Sequence, residues 1–419
     1  MKIAVVGGGS TYTPELVDGL ARMRGTLEVS ELVLIDPAAG RLADIGPLGR
    51  RMFAREGHPG AVTWTTELEA GLAGAQFVLI QLRIGGQAAR LSDETFPLAC
   101  GCVGQETTGA GGLAKALRTV PEVLRIAAKA RELAAPGAWL VDFTNPVGIV
   151  TRALLDAGHR AVGLCNVAIG FQRAIAAGLG VPAHRISLDH VGLNHLSWER
   201  SVRLDGTDIL PSLLAEHGAL IERQTKLPIE LIRRLGVIPS YYLRYYYQHD
   251  PVVAELLESV PRATQVAEVE RELLARYADS TLDTKPEELR RRGGAFYSEA
   301  AVELLAALHG DTGEVRTVNL RNHGLFPTLP GEAVIEVPAR VTASGPVAVP
   351  TAPPDPLYAG LVTHVAAYEE LAVEAALHGG RERVFRALLA HPLVGQAHLA
   401  DRLTDDLLAA NRDHLAWAR

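Results

Sequence analysis

The chain has 419 residues, with 48% hydrophobic and 21% charged side chains and a formal net charge of −7. That length suggests two or three domains, and the composition is that of an ordinary globular protein, which argues against disorder, collagen and membrane barrels. The acidic excess gives no electrostatic footprint for nucleic acid or an anionic membrane, and three cysteines are too few for a disulfide framework. The apolar run at the start stops at glycines after a few residues, too short for the apolar core of a signal peptide. No later stretch approaches a membrane span. A cytoplasmic enzyme is the expectation.

The first half alternates short apolar runs with helical patterns. KIAVV (Lys2 to Val6), LVLI (Leu32 to Ile35), FVLI (Phe77 to Ile80), WLVDF (Trp139 to Phe143) and AVGL (Ala161 to Leu164) read as strands buried on both faces. Helical patterns run over Pro14 to Met23, Arg41 to Glu56, Leu113 to Ala134, Gly148 to Ala157 and Phe171 to Leu179. Strand alternating with helix implies a parallel, doubly wound α/β sheet of Rossmann type, like that of lactate and malate dehydrogenases. Beyond Arg185 the pattern changes. ISLDHVGL and LSWERSVRL alternate like antiparallel strands, helical stretches follow from Asp208 to Arg276, and Glu314 to Asn319 and Ala333 to Val341 read as strands. Pro346 to Pro356 reads as a Pro-rich connector before helices over Leu357 to Ala418. The expected division is a nucleotide-binding domain over residues 1–185 and a mixed α+β substrate and oligomerisation domain over 186–419, with the site at their junction.

The first strand ends in Gly7-Gly8-Gly9-Ser10-Thr11-Tyr12. Gly7 and Gly9 fit the first two positions of a dinucleotide turn, where backbone N–H groups approach a pyrophosphate, while Tyr12 stands where a third glycine is usual. Asp36, at the end of the second strand, is placed to bind an adenosine ribose, favouring NAD over NADP. The stretch Arg83 to Pro121 is crowded with Gly, Thr and charged residues that build no core, as functional loops are. Asn145, Cys165 and Asn166 follow strand ends and should face a common crevice. Pattern alone leaves Cys165 and His195 open between a metal pair and a core thiol with a hydrogen-bonded histidine. Cys100 and Cys102 read as structural.

GGGSTYTPEL, GQETTGAGG, DFTNPVG, GLCNV, VGLNHLSW and YLRYYY, in this order, resemble the NAD- and metal-dependent glycoside hydrolases of family 4, in particular its 6-phospho-β-glucosidases. The resemblance implies a redox-neutral elimination and addition that departs from the two-carboxylate pattern of most glycosidases. NAD⁺ takes hydride from C3 of the sugar, a base removes the C2 proton, the aglycone leaves C1, water adds and the hydride returns. It implies Cys165 and His195 as ligands of Mn²⁺ or another divalent ion, and Tyr242, with Tyr241 in reserve, as the base. Gly7, Gly9, Ser10, Thr11 and Asp36 would hold NAD, and Arg90, Asn145, Asn166 and Arg292 the phosphorylated glycone. Glu106 would support the metal-bound water or His195 from behind. Asn166 goes with β-linked 6-phosphoglucosides such as cellobiose 6-phosphate; Ala168, where relatives often carry proline, leaves substrate choice less constrained. Other members of the family cleave 6-phospho-α-glucosides or α-galactosides. A 2-hydroxy acid dehydrogenase or a non-catalytic NAD-binding regulator are the competing readings. The resemblance also implies a homodimer or homotetramer.

Overall fold

The computed structural model describes residues 1–293 and 296–418. Six strands run parallel: β1 (Lys2–Val6), β2 (Glu31–Ile35), β3 (Ala61–Thr65), β4 (Phe77–Ile80), β5 (Trp139–Asp142) and β6 (Ala161–Gly163). Their spatial order is β3-β2-β1-β4-β5-β6, the Rossmann order, with its reversal between β1 and β4. The inner strands are apolar apart from Lys2, Glu31 and Asp142 at their ends, because helices cover both faces of the sheet. β3 escaped the sequence reading. It is an edge strand, AVTWT, whose mixed and half-exposed residues carry no apolar run.

The second half returns to the same sheet. After β7 (Ile186–Leu193), β8 (Leu196–Leu204), β9 (Thr207–Asp208) and β10 (Ile238–Pro239) have formed a separate antiparallel sheet, β11 (Val315–Arg321), β12 (Val334–Thr342) and β13 (Gly345–Ala348) extend the first one to nine strands. The join is antiparallel and narrow, Asn319 on β11 opposite Gly163 on β6. A Cβ on Gly163 would lie 2.1 Å from Thr151 Oγ1, so the close approach there requires glycine. Residue 185, the expected domain boundary, lies immediately before β7, and strands from both sides of it share one sheet.

The helical stretches expected over Asp208 to Arg276 are present, as short helices around β10, two of them ended by left-handed residues at Lys226 (φ 57°) and Gly236 (φ 68°), and the longer helix Arg262–Tyr277. One further expectation is corrected. The supposed connector from Pro346 begins inside β13, which tolerates proline because it is the sheet's edge. Among the described residues no helix is long and apolar enough to cross a membrane. All three cysteines are free.

Candidate active site at the carboxyl edge of the sheet

The glycine turn after β1 is built by close packing. Gly7 has φ 88°, and a Cβ there would meet the Gln81 carbonyl oxygen at 2.4 Å. A Cβ on Gly9 would stand 2.7 Å from the Asp36 carboxyl carbon. The Asp36 carboxylate instead accepts hydrogen bonds from the backbone N–H of Gly9 (3.0 Å) and Ala38 (2.9 Å). Gly8 presses on β2, 2.7 Å from Leu34 Cβ if it carried one, so close packing on the neighbouring strand falls to Gly8 while Tyr12 occupies the usual third position. Gln81 ties the turn down, its amide donating to the Gly7 carbonyl (3.1 Å) and Thr13 Oγ1 (2.9 Å). Over this turn opens a cleft of about 540 Å³ walled by Gly7, Gly9, Ser10, Asp36, Arg41 and Gln87 from the first half and by Glu270 and Arg292 from the second. That volume suits a cofactor-sized ligand.

A smaller cavity of about 150 Å³ adjoins it, sharing the walls Ser10, Gln81, Leu82, Arg83 and Arg292 and adding Tyr12, Lys115, Asn145 and Tyr297. Asn145 is held there by the loop after β5. The Asp142 carboxyl accepts from the Thr144 N–H (2.9 Å), and Thr144 Oγ1 donates to the Ile80 carbonyl (3.0 Å) while accepting from the Leu82 N–H (3.0 Å). Asn145 Oδ1 is buried with no hydrogen-bond partner in the structure, an acceptor left for a ligand.

Cys165, in the loop after β6, and His195, in the turn between β7 and β8, are linked through Tyr242, which stacks on the His195 ring and senses the Cys165 thiol. The Tyr297 hydroxyl points at the Cys165 sulfur from 4.0 Å, and the Asn194 side chain, like the Tyr297 hydroxyl, acts against the burial that raises the thiol. His195 sits in the left-handed region (φ 61°) at the tip of the β7–β8 turn, with its ring stacked on Tyr242 at 3.6 Å. Its Nδ1 lies 3.0 Å from Thr107 Oγ1. The Thr107 hydroxyl hydrogen is committed to Gln105 Oε1 (2.8 Å), so Thr107 accepts and His195 Nδ1 carries the proton. This assigns the tautomer whose Nε2 lone pair is free to bind a metal. Burial lowers the imidazole to about 4, so it is neutral near pH 7; burial also pushes the Cys165 thiol up to about 12. A neutral imidazole and a thiol that a cation would ionise fit a divalent-metal pair. Among the described residues no cluster of three His, Cys, Asp or Glu stands ready to hold a metal, so other ligands would complete the coordination.

The remaining expected residues lie in three places. Arg90 joins Arg83 and Lys115 around the buried Glu106: Arg90 Nε is 3.1 Å and Lys115 Nζ 2.7 Å from its carboxylate, and Arg83 is hydrogen-bonded to it. Burial opposes the Glu106 charge, but these cations hold its carboxyl well below the usual range. Glu106 therefore makes no hydrogen bond to His195; the next residue, Thr107, makes that contact. Arg292 is drawn to the nucleotide turn, donating to Thr11 Oγ1 (2.7 Å) and Ser10 Oγ (3.4 Å), rather than standing among the Glu106 cations. It still lines the smaller cavity. Thr11 also donates to Glu270 at 3.1 Å. Asn166 stands at the N-cap position of the helix Val167–Leu179, directly after Cys165, without a side-chain capping bond. Tyr241 accepts a hydrogen bond from Arg244 (3.1 Å), and burial raises the Tyr242 phenol above its ordinary value. Cys102 donates its S–H to the Cys100 carbonyl (3.8 Å), a local contact away from the site.

Arg83, Thr107, Lys115 and Tyr297 escaped sequence reading. The first three sit in the Gly- and charge-rich block that signals a functional loop without ranking its members, and Tyr297 lies in a segment with no such signal.

Strand order and a crevice at its reversal define a nucleotide-binding α/β protein. The malate dehydrogenase of Salinibacter ruber shares this fold, with a TM-score of 0.56 at 16% identity over 91% of this chain and 99% of that one. The sequence profile of the family 4 glycosyl hydrolases matches residues 2–181, and that of the family 4 glycosyl hydrolase C-terminal domain matches residues 190–394. A probable 6-phospho-β-glucosidase of Bacillus subtilis is 37% identical, covering 99% of this chain and 97% of its own. The structure of the 6-phospho-β-glucosidase of Thermotoga maritima with manganese, NAD⁺ and glucose 6-phosphate superposes with a TM-score of 0.91 at 32% identity, covering 99% of each chain. The chain belongs to the family 4 glycosyl hydrolases.

Proposed function

We propose that this protein hydrolyses 6-phospho-β-glucosides, such as cellobiose 6-phosphate, to glucose 6-phosphate and the aglycone, using NAD⁺ and Mn²⁺. The observation that carries the reading is that Tyr242 stacks on His195 and interacts with Cys165, whose sulfur is approached by Tyr297 from the wall of the small cavity adjoining the cofactor-sized cleft. Gly7, Gly9, Ser10, Thr11 and Asp36 bind NAD, with Arg292 bracing Ser10 and Thr11 from the other half of the chain. Cys165 Sγ and His195 Nε2 hold the metal. When bound, NAD⁺ supplies reversible hydride acceptance at a sugar carbon and the divalent ion supplies charge that stabilises a developing enediolate.

The protein's own groups do the rest. Tyr242 takes the C2 proton on its phenolic oxygen, with Tyr241 in reserve. Burial, then Cys165, Glu106 and Tyr241, oppose ionisation of Tyr242, and among its neighbours Arg90 favours it, so the positive charge of a bound divalent cation and of NAD⁺ would be needed to make this phenol a base near neutral pH. Asn145 Oδ1 accepts from a sugar hydroxyl, and Asn166, beside the metal cysteine, selects the β linkage. Arg90 meets the 6-phosphate by charge-assisted hydrogen bonds. Glu106 gathers Arg83, Arg90 and Lys115 so that these cations stay ordered without ligand. The same reading takes residues 1–185 as the nucleotide half and 186–419 as the substrate and assembly half of a cytoplasmic homodimer or homotetramer.

The test is release of nitrophenol from p-nitrophenyl 6-phospho-β-glucoside with NAD⁺, Mn²⁺ and a reductant. Release from the α-anomer alone would overturn the linkage, and turnover without NAD⁺ would overturn the cofactor chemistry. Cys165→Ser should lower kcat/KM by about a thousandfold while NAD⁺ affinity, read by fluorescence quenching, stays within about twofold.

A further inference from the structure

The least exposed ionic cluster of the site lies behind the metal pair. His190 on β7 is fully buried between two carboxylates, its Nδ1 2.7 Å from Glu199 Oε1 on β8 and its Nε2 2.9 Å from Glu336 Oε1 on β12. The other Glu336 oxygen accepts from two amides, Asn194 Nδ2 at 2.9 Å and Asn319 Nδ2 at 2.9 Å. One carboxylate thus stitches the antiparallel sheet to the large one. Asn194 is the pivotal member: it precedes His195 in the chain, and its side chain favours the charged form of Cys165 against the burial that raises the thiol.

We propose that Glu336 is a positioning residue for the metal pair: by holding Asn194 it fixes Cys165 and His195 against each other, and the His190–Glu199 pair holds the carboxylate itself. Three features support it. A buried carboxylate is costly unless its lone pairs are used, and here both oxygens are. His195 occupies the left-handed region at a turn tip, a conformation that needs outside support. One imidazolium between two carboxylates leaves net negative charge behind the site, and the Glu336 field reaches both Cys165 and His195, which favours a divalent cation. Burial alone would lower the His190 imidazole, but Glu199 and Glu336 raise it to about 10, so it is charged at neutral pH.

The inference rests on the metal reading above, and its test separates the two. Mn²⁺ affinity is measured by loss of the free-ion EPR signal, NAD⁺ affinity by fluorescence, and Cys165 ligation by the thiolate charge-transfer band of Co²⁺-loaded protein. Glu336→Gln should weaken Mn²⁺ by about 10- to 100-fold and shift the Co²⁺ band, with NAD⁺ affinity within about twofold. If that variant does not fold, Asn194→Ala carries the test with the same expected loss. Where both fold, the double variant should bind Mn²⁺ no more than about threefold worse than the weaker single, because both act through one link. Mn²⁺ binding within about threefold of wild type in folded Glu336→Gln or Asn194→Ala, or full additivity, would overturn the inference alone. A wild type that binds no Mn²⁺ would overturn the metal reading and the inference together.

Discussion

Glu106 and Glu336 are both buried carboxylates, yet their surroundings carry opposite sign. Glu106 lies under Arg83, Arg90 and Lys115, on the side of the crevice with the smaller cavity. Glu336 shares one histidine with Glu199 and faces the cysteine–histidine pair. An anionic sugar phosphate and a metal cation need opposite fields a short distance apart, and a chain of net charge −7 provides neither from its overall field. On the proposed reading, local cages of a few side chains would do this, each with the counter-charge that keeps it ordered when no ligand is present.

The difference can be broken from either side. The largest expected effect is on the positive cage: Glu106→Gln leaves its cations uncompensated in a buried place and should lower unfolding free energy by about 3–5 kcal/mol, read by denaturant titration. A loss below about 1 kcal/mol would mean that solvent, not Glu106, compensates those cations. The two cages should also fail at opposite ends of the pH scale. Glu106 has its carboxyl depressed below the ordinary 4.5, so its contribution is present above that value and lost as pH falls below it. His190 is raised from 6.5 to about 10, so its contribution is full below pH 6.5 and lost as pH rises toward 10. Metal-free wild type should therefore lose on the order of a few kcal/mol between those values, and His190→Gln should flatten that limb. An alkaline limb that is equally steep in the variant would assign it to other groups. The smallest effect sharpens the ligand side: Thr107→Val frees the His195 tautomer and should weaken Mn²⁺ about tenfold without changing stability at pH 7 by more than about 1 kcal/mol.

What could be read in advance followed from locality. The inner strands showed as unbroken apolar runs because both sheet faces are covered, and the edge strands β3 and β13 did not because one side of each is open. The turn at Gly7 and Gly9 and its carboxylate Asp36 lie within one strand–helix–strand unit, so their relation was visible as spacing. Gly8 and Gln81 were not, since what they touch is a neighbouring strand or a residue 68 to 74 positions away.

The sequence by itself determined a parallel α/β half, its glycine turn and, through a run of motifs in order, the family. Only the tertiary structure decided which side chains share a charge. Glu336 meets Asn194 across 142 positions and His190 across 146, and Arg292 meets Thr11 across 281. Hydrogen bonds and ion pairs of a few ångströms depend on where the sheets bring distant segments, and no periodicity along the chain encodes that.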